Sequence, residues 1–147
     1  MKILLYVLTL LLFLDLAYAT DVIKEGQEYP IEKIREQNKK IIKMVVEEIS
    51  KKLPQKVDNY TNLIKIRDED LTLIYTFEIN TGAKSDEAVI KEDKPRMKRM
   101  ISQGICQSSK RFLDAGVSLS YEYVSASTKK MLFIFAMNQK LCKELNL

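Results

Sequence analysis

The chain contains no histidine and no tryptophan among its 147 residues, and it has only two cysteines. Histidine is the commonest general base in enzymes and the commonest metal-binding side chain. Its absence excludes Ser-His-Asp and Cys-His nucleophilic catalysis. A zinc site would have to combine the two cysteines with carboxylates, which is rare among structural sites. We therefore expect a protein that is not an enzyme and that holds no metal and no cofactor.

The first residues have the composition of a signal peptide. A short positive segment precedes a mostly apolar run at residues 3–14, and Ala17-Tyr18-Ala19 forms the small-x-small pattern of a cleavage site. We expect cleavage between Ala19 and Thr20. The uncharged run is about 12 residues, whereas a membrane-spanning helix needs about 20. An uncleaved anchor is therefore the weaker alternative, and no stable membrane span is expected after cleavage.

The expected organisation is a cleaved signal peptide at 1–19, a flexible lead-in at 20–29 and a single domain at 30–147. Export places that domain in the periplasm or outside the cell. The net charge of +4 permits contact with an acidic partner or a membrane surface without requiring either. Nucleic acid is not an expected partner, because stacking aromatics are missing from the most basic stretch, Lys94, Arg96, Lys98 and Arg99 with Lys110 and Arg111.

After export, Cys106 and Cys142 enter an oxidising compartment, where two cysteines most economically form one disulfide. The alternatives are two free structural thiols, or a reactive thiolate at Cys106 favoured by the nearby Lys110 and Arg111. No imidazole is available to activate that thiol, and there is no CxxC spacing. We therefore predict the disulfide, which closes a loop of about 36 residues and stabilises the fold by roughly 3 to 4 kcal/mol.

Hydrophobic periodicity predicts a helix, a hairpin, a second helical region and a second hairpin. Apolar residues recur at three- and four-residue spacing from residue 31 to 53, and Pro54 ends that helix. Alternating residues at 57–67, 71–79 and 117–123 and the apolar run at 131–137 indicate strands. Helices are expected after Asp93, where Met97, Ile101 and Ile105 form a buried stripe, with an interruption near Gly104, and before Gly116. The prediction is an α+β domain with a four-stranded antiparallel sheet packed by helices and joined by one disulfide.

One face of this sheet is expected to carry the aromatic residues and to be covered by helices. The reverse face then presents Ile74, Leu132, Ile134 and Ala136. Natural monomers seldom leave a contiguous apolar patch uncovered. Either the second helix covers this face, which would make three layers, or a homodimer contact or another protein does.

Two further patterns carry alternative interpretations. The carboxylates of Asp68-Glu69-Asp70 suit a hard cation such as calcium, but no further ligands follow at a recognisable spacing, so a solvated hairpin tip is favoured. Asn59-Tyr60-Thr61 is a glycosylation sequon, which matters only in a host that carries out N-glycosylation.

A series of short segments runs from Leu53-Pro54 through "LIYTF", Cys106 and "FLDAGVSLSYEY" to Cys142. Together these segments resemble those of a group of small exported bacterial proteins with two cysteines and no assigned activity. Phe112-Leu113 stands where that group usually has a pair of leucines. The resemblance implies a periplasmic, disulfide-bonded domain and transfers no catalytic residue.

The sequence as a whole favours a small exported binding protein of the bacterial envelope. We expect an accessory subunit, or an inhibitor or immunity-type protein, that acts through contact with another envelope or secreted protein. The alternative is a periplasmic carrier that holds a lipid or a small apolar ligand between helix and sheet.

The intact mass of the protein from its native host tests export and the disulfide together. We expect a chain that begins at Thr20 and whose two thiols are alkylated only after reduction, because both cysteines are oxidised in an exported protein. A full-length mass with two freely alkylated thiols would contradict the export of the chain and would make Cys106 a candidate reactive site again.

Overall fold

Five strands and five α-helices make up the part of the chain that the structure, a computed structural model, describes, which is residues 30–147. The predicted signal peptide, its cleavage site at Ala19 and Thr20, and the whole of the predicted lead-in lie outside these residues. The strands are β1 (Gln55–Lys56), β2 (Thr61–Glu69), β3 (Thr72–Ile79), β4 (Ser118–Ser125) and β5 (Met131–Met137). The helices are α1 (Ile31–Ser50), α2 (Asp86–Ala88), α3 (Lys94–Ser108), α4 (Lys110–Asp114) and α5 (Gln139–Glu144), with a π-helical segment (Val89–Asp93) joining α2 to α3.

The five strands form one mixed sheet in the order β1-β2-β3-β4-β5. The expectation of four antiparallel strands was wrong in two respects. The short strand β1 adds a fifth member by pairing with Asn62 and Leu63 of β2. β3 and β4 are parallel, because the helical segment between them returns the chain to the end of the sheet where β3 began. The domain is nevertheless α+β, as the periodicity predicted.

All the long helices lie on the same face of the sheet. Strand pairing places Leu73 of β3 beside Leu119 of β4, which is in turn opposite Met137 of β5. These three side chains share one buried cluster with Ile42 of α1 and Ile105 of α3. A neighbouring cluster joins aromatic residues of the same face to the π-helical segment and α3. The domain therefore has two layers, and no helix of residues 30–147 covers the reverse face.

Polar side chains cover much of the reverse face. A guanidinium nitrogen of Arg67 on β2 lies 2.7 Å from a carboxylate oxygen of Glu122 on β4, so this ion pair crosses over β3. The hydroxyl of Thr76 on β3 donates to the other oxygen of the same carboxylate at 3.1 Å. Ile74 of β3 pairs with Arg67 in the sheet register, and only 5% of its surface is exposed. The centre of this face is therefore closed by hydrogen bonds and not by another layer.

The four residues predicted to form an apolar partner face do not form one exposed patch. Leu132 packs in the aromatic cluster on the helix side, because a bulge between Tyr123 and Val124 shifts the alternation of β5. Ile74 is buried, whereas Ile134 is 51% exposed and Ala136 is also exposed. The exposed part of the predicted face is thus limited to two residues of β5.

The helical region between the hairpins is longer and more regular than expected. It begins at Asp86, where the side chain of Ser85 accepts a hydrogen bond from the backbone N–H of Ala88. α3 continues through Gly104 without a break and ends at Ser108. Gly116 has φ of 84° and follows α4, as a glycine after a helix C-terminus often does. No helix within residues 30–147 is long and apolar enough to cross a lipid bilayer.

A disulfide joins Cys106 of α3 to Cys142 of α5, as the sequence predicted. Both cysteines are buried in the cluster that contains Leu113 and Met137. The bond therefore holds the helix after the last strand against α3, and the described residues contain no free cysteine.

Removing this disulfide should lower the free energy of unfolding by about 2 to 4 kcal/mol, because the unfolded chain regains the freedom of a long loop. The variant is the double substitution Cys106→Ala with Cys142→Ala, which leaves no unpaired thiol. Urea denaturation followed by circular dichroism measures the change. A loss below about 1 kcal/mol would mean that the bond contributes little beyond the packing around it.

Candidate binding groove

An open groove of 830 Å³ lies on the helix-covered face of the sheet, between α3 and the loop that joins β1 to β2. Its floor is formed by aromatic residues of the central strands, Phe77, Tyr121 and Tyr123. α1 packs mainly over β2 and β3, while α3 packs against β5. The groove is therefore the space that these helices leave open over the middle of the sheet.

The wall along α3 is built from residues at helical spacing. Met97, Met100 and Ile101 line the groove at intervals of three and one residues, and Gly104 follows three residues later on the same side of the helix. A second hollow of 510 Å³ shares Ile101 and Tyr121 with the groove and continues past Gly104 to Ser108. The lining thus follows α3, whose 15 residues span roughly 22 Å.

Apolar side chains reach into solvent at both sides of the groove. Met100 is 59% exposed on α3, and Tyr60 is 67% exposed in the loop between β1 and β2. That loop is held by a hydrogen bond from the backbone N–H of Tyr60 to the carboxylate of Asp58 at 2.7 Å. Methionine side chains adapt to partners of different shapes. A partner would therefore find apolar contacts without a large rearrangement of the backbone.

The end of the groove near the π-helical segment carries a small charged network. The ammonium of Lys84 lies 3.0 Å from a carboxylate oxygen of Asp93 and 3.1 Å from one of Glu92. Arg96 lies 3.5 Å from the other oxygen of Asp93. Hydrogen bonding to Lys84 keeps the pKa of Asp93 below its usual value, and the pKa of Lys84 is raised in return. Lys84 and Asp93 are therefore both charged at neutral pH.

The tyrosines on the sheet keep their protons at neutral pH. Burial raises the pKa of Tyr75 and of Tyr121, and burial together with the nearby Tyr121 and Asp58 raises that of Tyr123 further. The ring centres of Tyr75 and Tyr121 are 5.3 Å apart, and those of Phe77 and Tyr123 are 5.1 Å apart. Of these tyrosines, Tyr121 and Tyr123 line the groove, where a protonated hydroxyl is a hydrogen-bond donor and a poor base.

Several other residues singled out in the sequence lie apart from the groove. Asp70 sits in the turn between β2 and β3 and binds Arg35 and Lys39 of α1 at 2.5 and 2.7 Å, so it ties the hairpin to the helix. No cluster of residues 30–147 has the composition of a metal site. By contrast, Arg96 of the basic stretch lines the groove, and Asn59 of the sequon is exposed and directly precedes Tyr60 at the groove's edge.

The sequence pattern identified two residues of the groove but predicted that both would be buried. Met97 and Ile101 were predicted to lie in a buried stripe, but both are only half-buried and open into the groove. Met100 and Tyr60 were not predicted to belong to a binding site. The feature of the sequence that could have indicated the groove is Met100, a further apolar residue beside that stripe in a helix whose remaining residues are largely polar.

Three solved structures share this fold. A candidate secreted protein from Pseudomonas aeruginosa aligns with a TM-score of 0.63 at 15% identity, over 74% of this chain and 96% of its own. The pilotin EpsS of the Vibrio vulnificus type 2 secretion system aligns with a TM-score of 0.57 at 13% identity, over 76% and 96%. The type II secretion system pilotin AspS from Vibrio cholerae gives 0.56 at 14% identity, over 76% and 98%.

At these identities the similarities show a common fold and no more. No curated protein sequence matches the chain. Residues 36–133, which extend from α1 into β5, match the family described as "Domain of unknown function (DUF8479)". Since this match covers more than half of the sequence, the chain belongs to the DUF8479 family.

Proposed function

We propose that this protein is an exported, non-enzymatic binding protein of the bacterial envelope, and that the groove along α3 holds a segment of its protein partner. The observation that carries the proposal is the open groove itself, with an aromatic floor and the exposed side chains of Met100 and Tyr60. Large exposed apolar patches are uncommon on monomeric proteins, and where they occur they often mark a site of interaction with a protein or a ligand.

The shape of the groove suits an amphipathic helix. A helix that lies in a groove contributes apolar residues at i, i+3, i+4 and i+7, and it needs a long trough with apolar walls. The lining along α3 has that form, and the charges of Lys84, Asp93 and Arg96 stand at one end, where they can orient a partner. The likeness to two pilotins of type 2 secretion systems supports an accessory role in an envelope assembly.

A carrier of a lipid or a small apolar ligand is the second candidate. The volume of 830 Å³ lies within the range of about 300 to 1,000 Å³ that is usual for ligand pockets. Such pockets usually enclose most of the ligand, whereas here Met100 and Tyr60 leave the groove open to solvent. This openness favours a protein segment over a small molecule.

Site-specific crosslinking in the native host tests the protein-binding role. A photoreactive amino acid placed at Met100 should form a discrete adduct with an envelope protein, because that side chain lies in the groove and is exposed. The matched control is the same substitution at Met131, which is 46% exposed at the start of β5 and lies outside the groove. Mass spectrometry identifies the adduct.

The variant Gly104→Leu is the second part of the crosslinking experiment, because a side chain at this position would enter the hollow along α3. It should abolish the Met100 adduct while leaving the fold intact. Equal adducts from Met100 and Met131, or no adduct from either, would contradict the proposal. If the purified protein instead releases a lipid on organic extraction and shows no protein adduct, the carrier function is correct.

Gly104→Ala should stabilise the free protein by about 0.5 to 1 kcal/mol. Glycine within a helix costs roughly this much relative to alanine, and an added Cβ at Gly104 would meet no atom within 4 Å. Urea denaturation measures the difference. A destabilised variant would show that the fold itself requires glycine at this position, and the hollow would then need no partner to explain it.

A further inference from the structure

Three cationic residues of α3 do not line the groove. α3 contains four cationic residues and no acidic residue. Arg96 turns toward the groove, where it meets Asp93. Lys94, Lys98 and Arg99 are exposed, and within residues 30–147 no carboxylate oxygen lies within 4.0 Å of their charged nitrogens. These three charges are therefore available to an external partner.

Exposed aliphatic side chains flank these cations. A shallow hollow of 260 Å³ lies between Lys94 and Lys98 on one side and Ile134 on the other. A second hollow, of 310 Å³, joins Lys98 and Arg99 to Leu145 and Leu147. Ile134 and Leu145 are each 51% exposed, and Leu147 is 45% exposed. The three cations and these three aliphatic residues are called the basic face below.

We propose that the basic face holds the protein against an anionic phospholipid surface. Lysine and arginine near an anionic bilayer each strengthen binding about fivefold, and exposed aliphatic side chains add to this by entering the interface. Lysine also keeps its charge in the headgroup region while its stem lies along apolar surface. Both kinds of group are present on this face, and the net charge of the whole chain, +4, also favours binding to an anionic surface.

The chemistry of the face favours lipid over an acidic protein. An acidic protein is held most strongly where cations make bidentate or several hydrogen-bonded contacts with one carboxylate. Here the cations are spread along two successive helix turns and alternate with aliphatic residues around two shallow hollows. Residues two apart on a helix point about 200° apart, so Met100 faces nearly opposite to Lys98. The groove would therefore remain open while the basic face rests on the membrane.

Flotation of the purified mature chain with vesicles tests this inference. The probe is a set of vesicles of phosphatidylcholine mixed with phosphatidylglycerol, compared with vesicles of phosphatidylcholine alone. We expect binding only to the anionic vesicles and loss of binding at high salt, because exposed charges are screened. The triple variant Lys94→Gln, Lys98→Gln, Arg99→Gln should bind roughly 100-fold more weakly, which is three fivefold steps.

A matched variant carries the same change in charge on another helix. Lys33→Gln, Lys40→Gln and Lys43→Gln replace three exposed lysines of α1 that form no ion pair among the described residues. This control should lose only a few-fold in affinity. An equal loss in both triple variants, or no binding of the unaltered chain to anionic vesicles, would overturn the proposal.

Ile134→Ser separates lipid from an acidic protein. The substitution removes an exposed aliphatic group without changing the charge, so it should weaken vesicle binding several-fold. If vesicle binding is unchanged by Ile134→Ser and polyglutamate binds the basic face more tightly than the vesicles do, the face recognises acidic protein and the lipid proposal fails. Failure here leaves the groove proposal untouched, because the crosslinking from Met100 does not depend on the basic face.

Discussion

Strands β3 and β4 lie side by side in parallel near the centre of the sheet, so the chain must return along the sheet between Ile79 and Ser118. Parallel neighbours cannot be joined by a tight turn, and this connection contains α2, the π-helical segment, α3 and α4. These helices bury their apolar side on the same face that α1 covers. The position of α3, and with it the wall of the groove, follows from this one strand pairing.

Covering only one face of the sheet leaves the other to be closed by different means. The ion pair between Arg67 and Glu122 spans β3, and the hydroxyl of Thr76 joins it, so the central part of the open face is polar although Ile74 lies in it. Buried carboxylates are costly unless they are paired and hydrogen-bonded. Glu122 has both kinds of partner, so its carboxylate can lie in the uncovered face without being left unpaired.

α3 presents different chemistry on its two sides because a helix separates residues by about 100° per position. Met97, Met100 and Ile101 line the groove, while Lys94 and Lys98 stand on the basic face. The disulfide holds α3 to α5 near Gly104, which lines the second hollow along α3. One braced helix would thus serve a protein partner on one side and a membrane surface on the other. Such a role requires binding geometry and no reacting group.

The sequence by itself determined the features that depend on neighbouring residues along the chain. These are the periodicity of α1, the alternation of β3 and β4, the pairing of the only two cysteines, and the absence of histidine chemistry. The parallel pairing of β3 with β4, the added strand β1 and the bulge that turns Leu132 to the helix side arise from contacts between distant segments. The groove belongs to this second group. The spacing of apolar residues shows which side of α3 is apolar. Only the packing of α1 and α3 over a five-stranded sheet decides that Met97 and Ile101 line an open groove, because a groove is defined by all the segments that surround it.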